Sequence, residues 1–133
     1  MPADDRVCSR LPSGWTPLEL LVHLTFVERR WLEWGFEDPD LPDPWGDQHE
    51  GRWRVPADRT FEDVVASLRE RGAVTRRIVA SHDLDDVGRP GDRWDGRPPA
   101  SLERVLFHLL QEYARHAGHL DVVAELVTGR TGE

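Results

Sequence analysis

The chain has 133 residues, 38% of them hydrophobic and 32% charged, which is the size and balance of one folded domain with no room for a second catalytic module. Its net charge of -8, from 25 acidic against 17 basic residues, repels phosphate backbones and anionic lipid and so argues against nucleic-acid and membrane partners. No run approaches the ~18 consecutive apolar residues of a membrane span and no basic-then-apolar leader opens the sequence, so the expected compartment is the cytoplasm.

The first dozen residues are polar and carry the only cysteine, Cys8, which has no intramolecular disulfide partner and reads as an incidental thiol. All 17 basic residues are arginine, which excludes a catalytic lysine. The first strong start signal follows at Trp15-Thr16-Pro17-Leu18-Glu19-Leu20. Thr16 can cap a helix, Pro17 suits its first position, Glu19 completes a capping box, and Trp15 and Leu20 occupy the two staple positions. The spacing predicts a helix over 17–35, with Leu20, Leu24, Val27, Trp31 and Trp34 in one apolar stripe and His23 at its edge.

The segment from Phe36 to Arg59 holds four prolines and seven carboxylates, and Trp45 and Trp53 argue against its being disordered. Thr60-Phe61-Glu62-Asp63 then opens a helix predicted over 61–81, with Gly72 an interior weakness of about 1 kcal/mol relative to alanine. A second long loop, His82 to Ala100, contains three glycines, three prolines and Trp94. Both loops are expected to fold back over one end of the helices. The last and longest helix is predicted over 101–128, from Ser101 to a C-terminal cap at Gly129, with the stripe Leu102, Val105, Leu109, Tyr113, His116, Leu120, Val123 and Val127.

Polar residues interrupt that last stripe. Glu112 and His116 stack on one face a turn apart, where both can touch one ion. A carboxylate beside an apolar stripe calls for neutralisation, which a buried arginine, a proton on the carboxyl or a divalent cation would each provide. For a cation, His23 is the natural third ligand, because the face it edges must pack against the last helix. Two histidines and one carboxylate leave coordination positions open, the pattern of a catalytic site. The same donors describe iron(II) oxygenase triads, but those sit on a β-barrel that this helical sequence does not supply. His108 and His119 extend the polar strip as partners for the ligands. No GxSxG, P-loop, GxGxxG or zinc-finger spacing is present.

Two stretches carry a resemblance. Ser13-Gly14-Trp15-Thr16-Pro17-Leu18-Glu19-Leu20-Leu21-Val22-His23-Leu24, continued by Val27-Glu28-Arg29-Arg30-Trp31, resembles the first motif of the mycothiol-transferase branch of the DinB-like superfamily. His108-Leu109-Leu110-Gln111-Glu112-Tyr113-Ala114-Arg115-His116-Ala117-Gly118-His119-Leu120-Asp121 resembles the second. The resemblance implies an all-α up-down bundle over residues 1–133 that lacks the usual N-terminal helix and keeps three main helices and two long loops. It implies a divalent metal, zinc foremost and otherwise nickel, manganese or iron, on His23, Glu112 and His116. It further implies transfer of a low-molecular-weight thiol, with mycothiol as cosubstrate, to a small electrophile. In that mechanism His119 or His108 receives the thiol proton, Arg115 stabilises nearby charge, and the loops shape the electrophile pocket. The alternative is a non-catalytic metal-binding helical protein of stress or binding type. A missing helix leaves one face of the bundle uncovered, so a homodimer is expected.

Overall fold

The computed structural model describes residues 1–37 and 40–131. In chain order, α1 is a single turn, Ala3–Arg6, and α2 runs Pro17–Glu28 and continues as a π-helical stretch, Arg29–Glu37. A two-stranded hairpin follows, β1 Gln48–His49 and β2 Arg52–Trp53, then α3, Phe61–Ala80, and α4, Leu102–Thr128. Apart from that hairpin the described protein is an all-α bundle, and the three predicted helices agree with the observed ones to within two residues at each end.

The helix ends follow from their capping chemistry. Thr16 Oγ1 accepts from the Glu19 amide at 3.2 Å while Glu19 Oε2 accepts from the Thr16 amide at 2.8 Å, and Thr60 and Asp63 build the same box on α3. The serine at 101 accepts from the Arg104 amide, and α4 stops at Gly129, whose φ of 68° suits a residue without Cβ. Gly72 does not interrupt α3.

Helix α2 packs against both α3 and α4. Val27, Leu32, Phe36, Ile78, Leu102, Val105 and Leu109 form one buried cluster with Trp94 from the second loop, each such side chain contributing about 1.5–3 kcal/mol by leaving water. The stripe predicted for the first helix fails beyond Val27. Leu32 and Phe36 turn inward, and Trp31 and Trp34 are only half-buried. In the π-helical stretch hydrogen bonds reach i→i+5, which rotates successive side chains off the α-helical register.

Glu28 is also buried, where it accepts hydrogen bonds from the Thr75 and Tyr113 hydroxyls and so ties all three helices together. Burial, reinforced by Glu28, pushes the Tyr113 phenol well above its ordinary pKa. Before Pro17 the chain forms no helix longer than the four-residue α1, and the outer face of α4 stays open, with Phe107, Leu110, Val122 and Leu126 exposed.

The sequence placed both long loops over one end of the helices, but they cover different parts of the bundle. The first carries the hairpin, whose two turn residues, Glu50 and Gly51, both have positive φ as a type I′ turn demands, and it reaches His23. The second seals the opposite end of the core. Trp94 enters the cluster there, and Gly88 passes so close to the end of α2 that a Cβ on it would lie 2.6 Å from the Gly35 carbonyl oxygen.

Candidate metal centre

Helix α2 presents His23 and helix α4 presents Glu112 and His116, and one donor atom from each lies within 4.8 Å of the others. The i,i+4 spacing of Glu112 and His116 brings His116 Nε2 to 3.3 Å from Glu112 Oε2. His23 Nε2 comes to 3.8 Å from the same oxygen, across the α2–α4 seam. Both imidazoles are therefore turned with Nε2 toward the carboxylate. The two histidines are buried, whereas the Glu112 side chain keeps 22% of its exposure, so the group opens to solvent on the glutamate side.

The Nδ1 atoms have partners of their own. His23 Nδ1 lies 3.4 Å from Asp47 Oδ2, and Asp47 in turn accepts a two-pronged pair from Arg30, at 2.7 and 3.1 Å. Arg30 Nη2 also stands 3.5 Å from this Nδ1, and where Nδ1–H donates to Asp47 the lone pair of His23 is left on Nε2. Arg30 and Asp47 are themselves nearly inaccessible, at 3% and 1%. On the other helix His116 Nδ1 meets His119 Nδ1 at 3.4 Å, a pair in which one ring donates and the other accepts. The donor set thus fits a divalent ion: two imidazoles with Nε2 turned inward, one carboxylate, and an outer layer of partners on both Nδ1 atoms.

Aromatic rings cover the buried side. Trp53 from the hairpin stands against His23 at 4.2 Å between ring centroids, and Trp15 lies over both His116 and His23, at 5.7 and 5.3 Å. Trp15, read from sequence as half of a staple, lies over the site. On the open side His108 Nε2 approaches Glu112 Oε1 at 3.3 Å, and its ring packs on Trp31 at 4.0 Å. Burial first, then the positive charges of Arg93 and Arg104, hold the His108 pKa below its ordinary value against the opposing pull of Glu112. Burial and His23 do the same to His116. Arg115 is exposed, makes no hydrogen bond or ion pair among the described residues, and acts on His116 only through its charge.

The sequence reading missed Arg30, Asp47 and Trp53. Arg30 carried a signal, since it stands seven residues after His23 and so on the same face of an ideal helix. Asp47 carried none, being one of seven carboxylates in its segment. The neutralising partner expected for Glu112 is not a buried arginine, because Arg30 is taken by Asp47.

Among the described residues no helix is long and apolar enough to cross a membrane. No curated relative and no solved structure shows a significant match to the chain. A family model described as mycothiol-S-transferase matches residues 1–129 of the 133, a span that takes in both arms of the His23, Glu112, His116 group and the loops around it. The chain belongs to the mycothiol-S-transferase family.

Proposed function

We propose that this protein is a cytoplasmic, divalent-metal-dependent transferase that joins mycothiol to a small electrophile, with His23, Glu112 and His116 holding the metal, zinc foremost. The observation that carries the reading is the orientation of the two buried histidines, whose Nε2 atoms face one carboxylate while Asp47 and His119 engage their Nδ1 atoms. A divalent ion held there supplies Lewis acidity, which lowers the pKa of a thiol enough for it to react as a thiolate near pH 7.

The chain's own residues do the rest. Trp15 and Trp53 exclude water from the histidine side, so the substrates approach past Glu112. His108 is held neutral by its surroundings and stands at that open side, placed to take the thiol proton, with His119 as the reserve base beyond His116. Arg115 adds positive potential at the rim. The sulfur lone pair forms the new carbon–sulfur bond. The electron pair of the broken bond leaves with the displaced group, which takes a proton back if its basicity requires one.

A second copy of the chain completes the fold on this reading. Leu110, Val122 and Leu126 are exposed along α4. Two copies of α4 facing each other there would take these apolar side chains out of water. Light scattering at micromolar concentration is expected to give twice the chain mass, and a monomer would exclude the dimer.

The test of the activity is elemental analysis of untagged protein purified without chelator, beside the His23→Ala, Glu112→Ala, His116→Ala triple variant, followed by mycothiol transfer to a panel of electrophiles. Near-stoichiometric metal and turnover are expected in the wild type and neither in the variant. Metal without turnover would leave a non-catalytic metal-binding protein.

A further inference from the structure

Beside the metal group runs a groove of a different character. Two adjoining clefts, of about 510 and 580 Å³, share Trp31 and Arg104 as a common wall. His108 lines the first of them and also touches Glu112 at 3.3 Å, so the groove begins one side chain away from a metal ligand. Its other walls include Arg93, Arg97 and the half-open ring of Phe107, which is 63% exposed.

What sets this groove apart is the state of its arginines. In the cleft between α2 and α3 every guanidinium is engaged: Arg29 donates to the Pro42 and Asp43 carbonyls, Arg59 to Ser67, and Arg71 pairs with Glu33. Arg93, Arg97 and Arg104 make no side-chain hydrogen bond and no ion pair among the described residues. Arg93 is the most telling of them. It lies over Trp31, 3.9 Å from the ring centroid, with the rings of Trp94 and Trp34 at 5.8 and 6.0 Å, and its Nε is buried without an acceptor. Burial disfavours its charge, and no carboxylate among the described residues compensates. Glu103 and Asp95 also line the two clefts without pairing with these arginines, so three guanidiniums outnumber two carboxylates around this groove in a protein whose net charge is -8.

We propose that this groove seats the electrophilic substrate, and that the substrate is a small organic carboxylate whose apolar body lies along Phe107 and the edge of Trp31, with Arg93 and Arg104 reading the carboxylate. The inference rests on the thiol-transfer reading for the word electrophile, and on the groove alone for the word carboxylate. Guanidinium groups match carboxylates with paired, charge-assisted hydrogen bonds, whereas mycothiol, an uncharged, polyhydroxylated thiol, offers them only the weaker neutral kind. Seating the anion here holds its reactive carbon beside His108 and the solvent-facing edge of Glu112, where the thiol must arrive.

The experiment compares two thiol acceptors of one shape, 4-chloro-3-nitrobenzoate and its uncharged carboxamide, with the metal-loaded full-length protein and mycothiol. Calorimetric titration of the unreactive 3-nitrobenzoate runs in parallel without thiol. The wild type is expected to favour the benzoate by about ten- to hundredfold in kcat/KM, carried mostly in KM. Arg104→Gln, on the exposed rim, is expected to erase most of that preference and weaken nitrobenzoate binding, and Arg93→Gln to do the same. Arg59→Gln, in the opposite cleft, should keep it. Turnover of both acceptors without discrimination would overturn the groove assignment and leave thiol transfer standing. Arginine-dependent nitrobenzoate binding with no turnover of either acceptor would sustain the groove and overturn thiol transfer to such acceptors. Absence of both binding and discrimination would overturn the groove.

Discussion

The two long loops are alike in composition and opposite in use. Each is rich in proline and carries tryptophan, yet the first is held to the body by charge and the second by packing. In the first, Asp47 is drawn into the interior by Arg30 and brought against His23, and Trp53 follows it onto the same imidazole. In the second, Trp94 fills the core, its indole donates to the Arg89 carbonyl, and backbone bonds from Gly88 to Ala100 and from Arg89 to Phe36 pin the chain. The lesson is one of division of labour. A charged tether of this kind holds a polar partner against His23, whereas an apolar plug adds packing to the core.

The sharpest way to break that comparison is Asp47→Ala. It leaves the Arg30 guanidinium buried without its carboxylate, and stability is expected to fall by about 3–5 kcal/mol in urea denaturation. Metal affinity, measured by chelator competition, is expected to fall about 10–100-fold. The Arg30→Leu, Asp47→Leu double variant should recover most of the stability and none of the affinity. A double variant that binds metal like the wild type would reduce the first loop to a structural role.

Gly88→Ala probes the second loop. Its Cβ would press on the Gly35 carbonyl, so a loss of about 1–3 kcal/mol is expected with metal affinity unchanged. Loss of affinity in step with stability would show that the two loops are coupled. The smallest effect concerns pH. His108 and His116 have folded-state pKa values held down chiefly by burial, so the unfolded chain takes up protons more readily. Stability of the metal-free protein is therefore full above about pH 6.5 and is lost as pH falls through the depressed folded values. Urea midpoints between about pH 7.5 and 5.5 should show this in wild type and in Gly88→Ala alike, and a flat profile would contradict it.

Much of this molecule was written locally. The capping boxes at Thr16 and Thr60 and the glycine at 129 stopped and started the helices where short-range hydrogen bonding dictates. The placement of His116 within an apolar stripe, one turn from Glu112, was legible because helical periodicity is a property of the chain itself. The stripe beyond Val27 was not, because a change from i→i+4 to i→i+5 hydrogen bonding is chosen by packing around Leu32 and Phe36 rather than by any one residue's preference.

Sequence alone determined the three helices and the Glu112–His116 pair, since each depends on residues within a few positions of one another, and it offered His23 as a third donor through the apolar face that His23 edges. Only the tertiary structure decided that Asp47, out of seven carboxylates in its segment, would reach His23, and that Arg93, Arg97 and Arg104 would remain unpaired around one groove. Those choices are made by contacts between residues 17 and 24 positions apart in the one case, and in the other by a groove whose acids, Glu103 and Asp95, form no ion pair with the arginines beside them. A long-range contact is fixed by the shape of the whole assembled core, which no local pattern encodes.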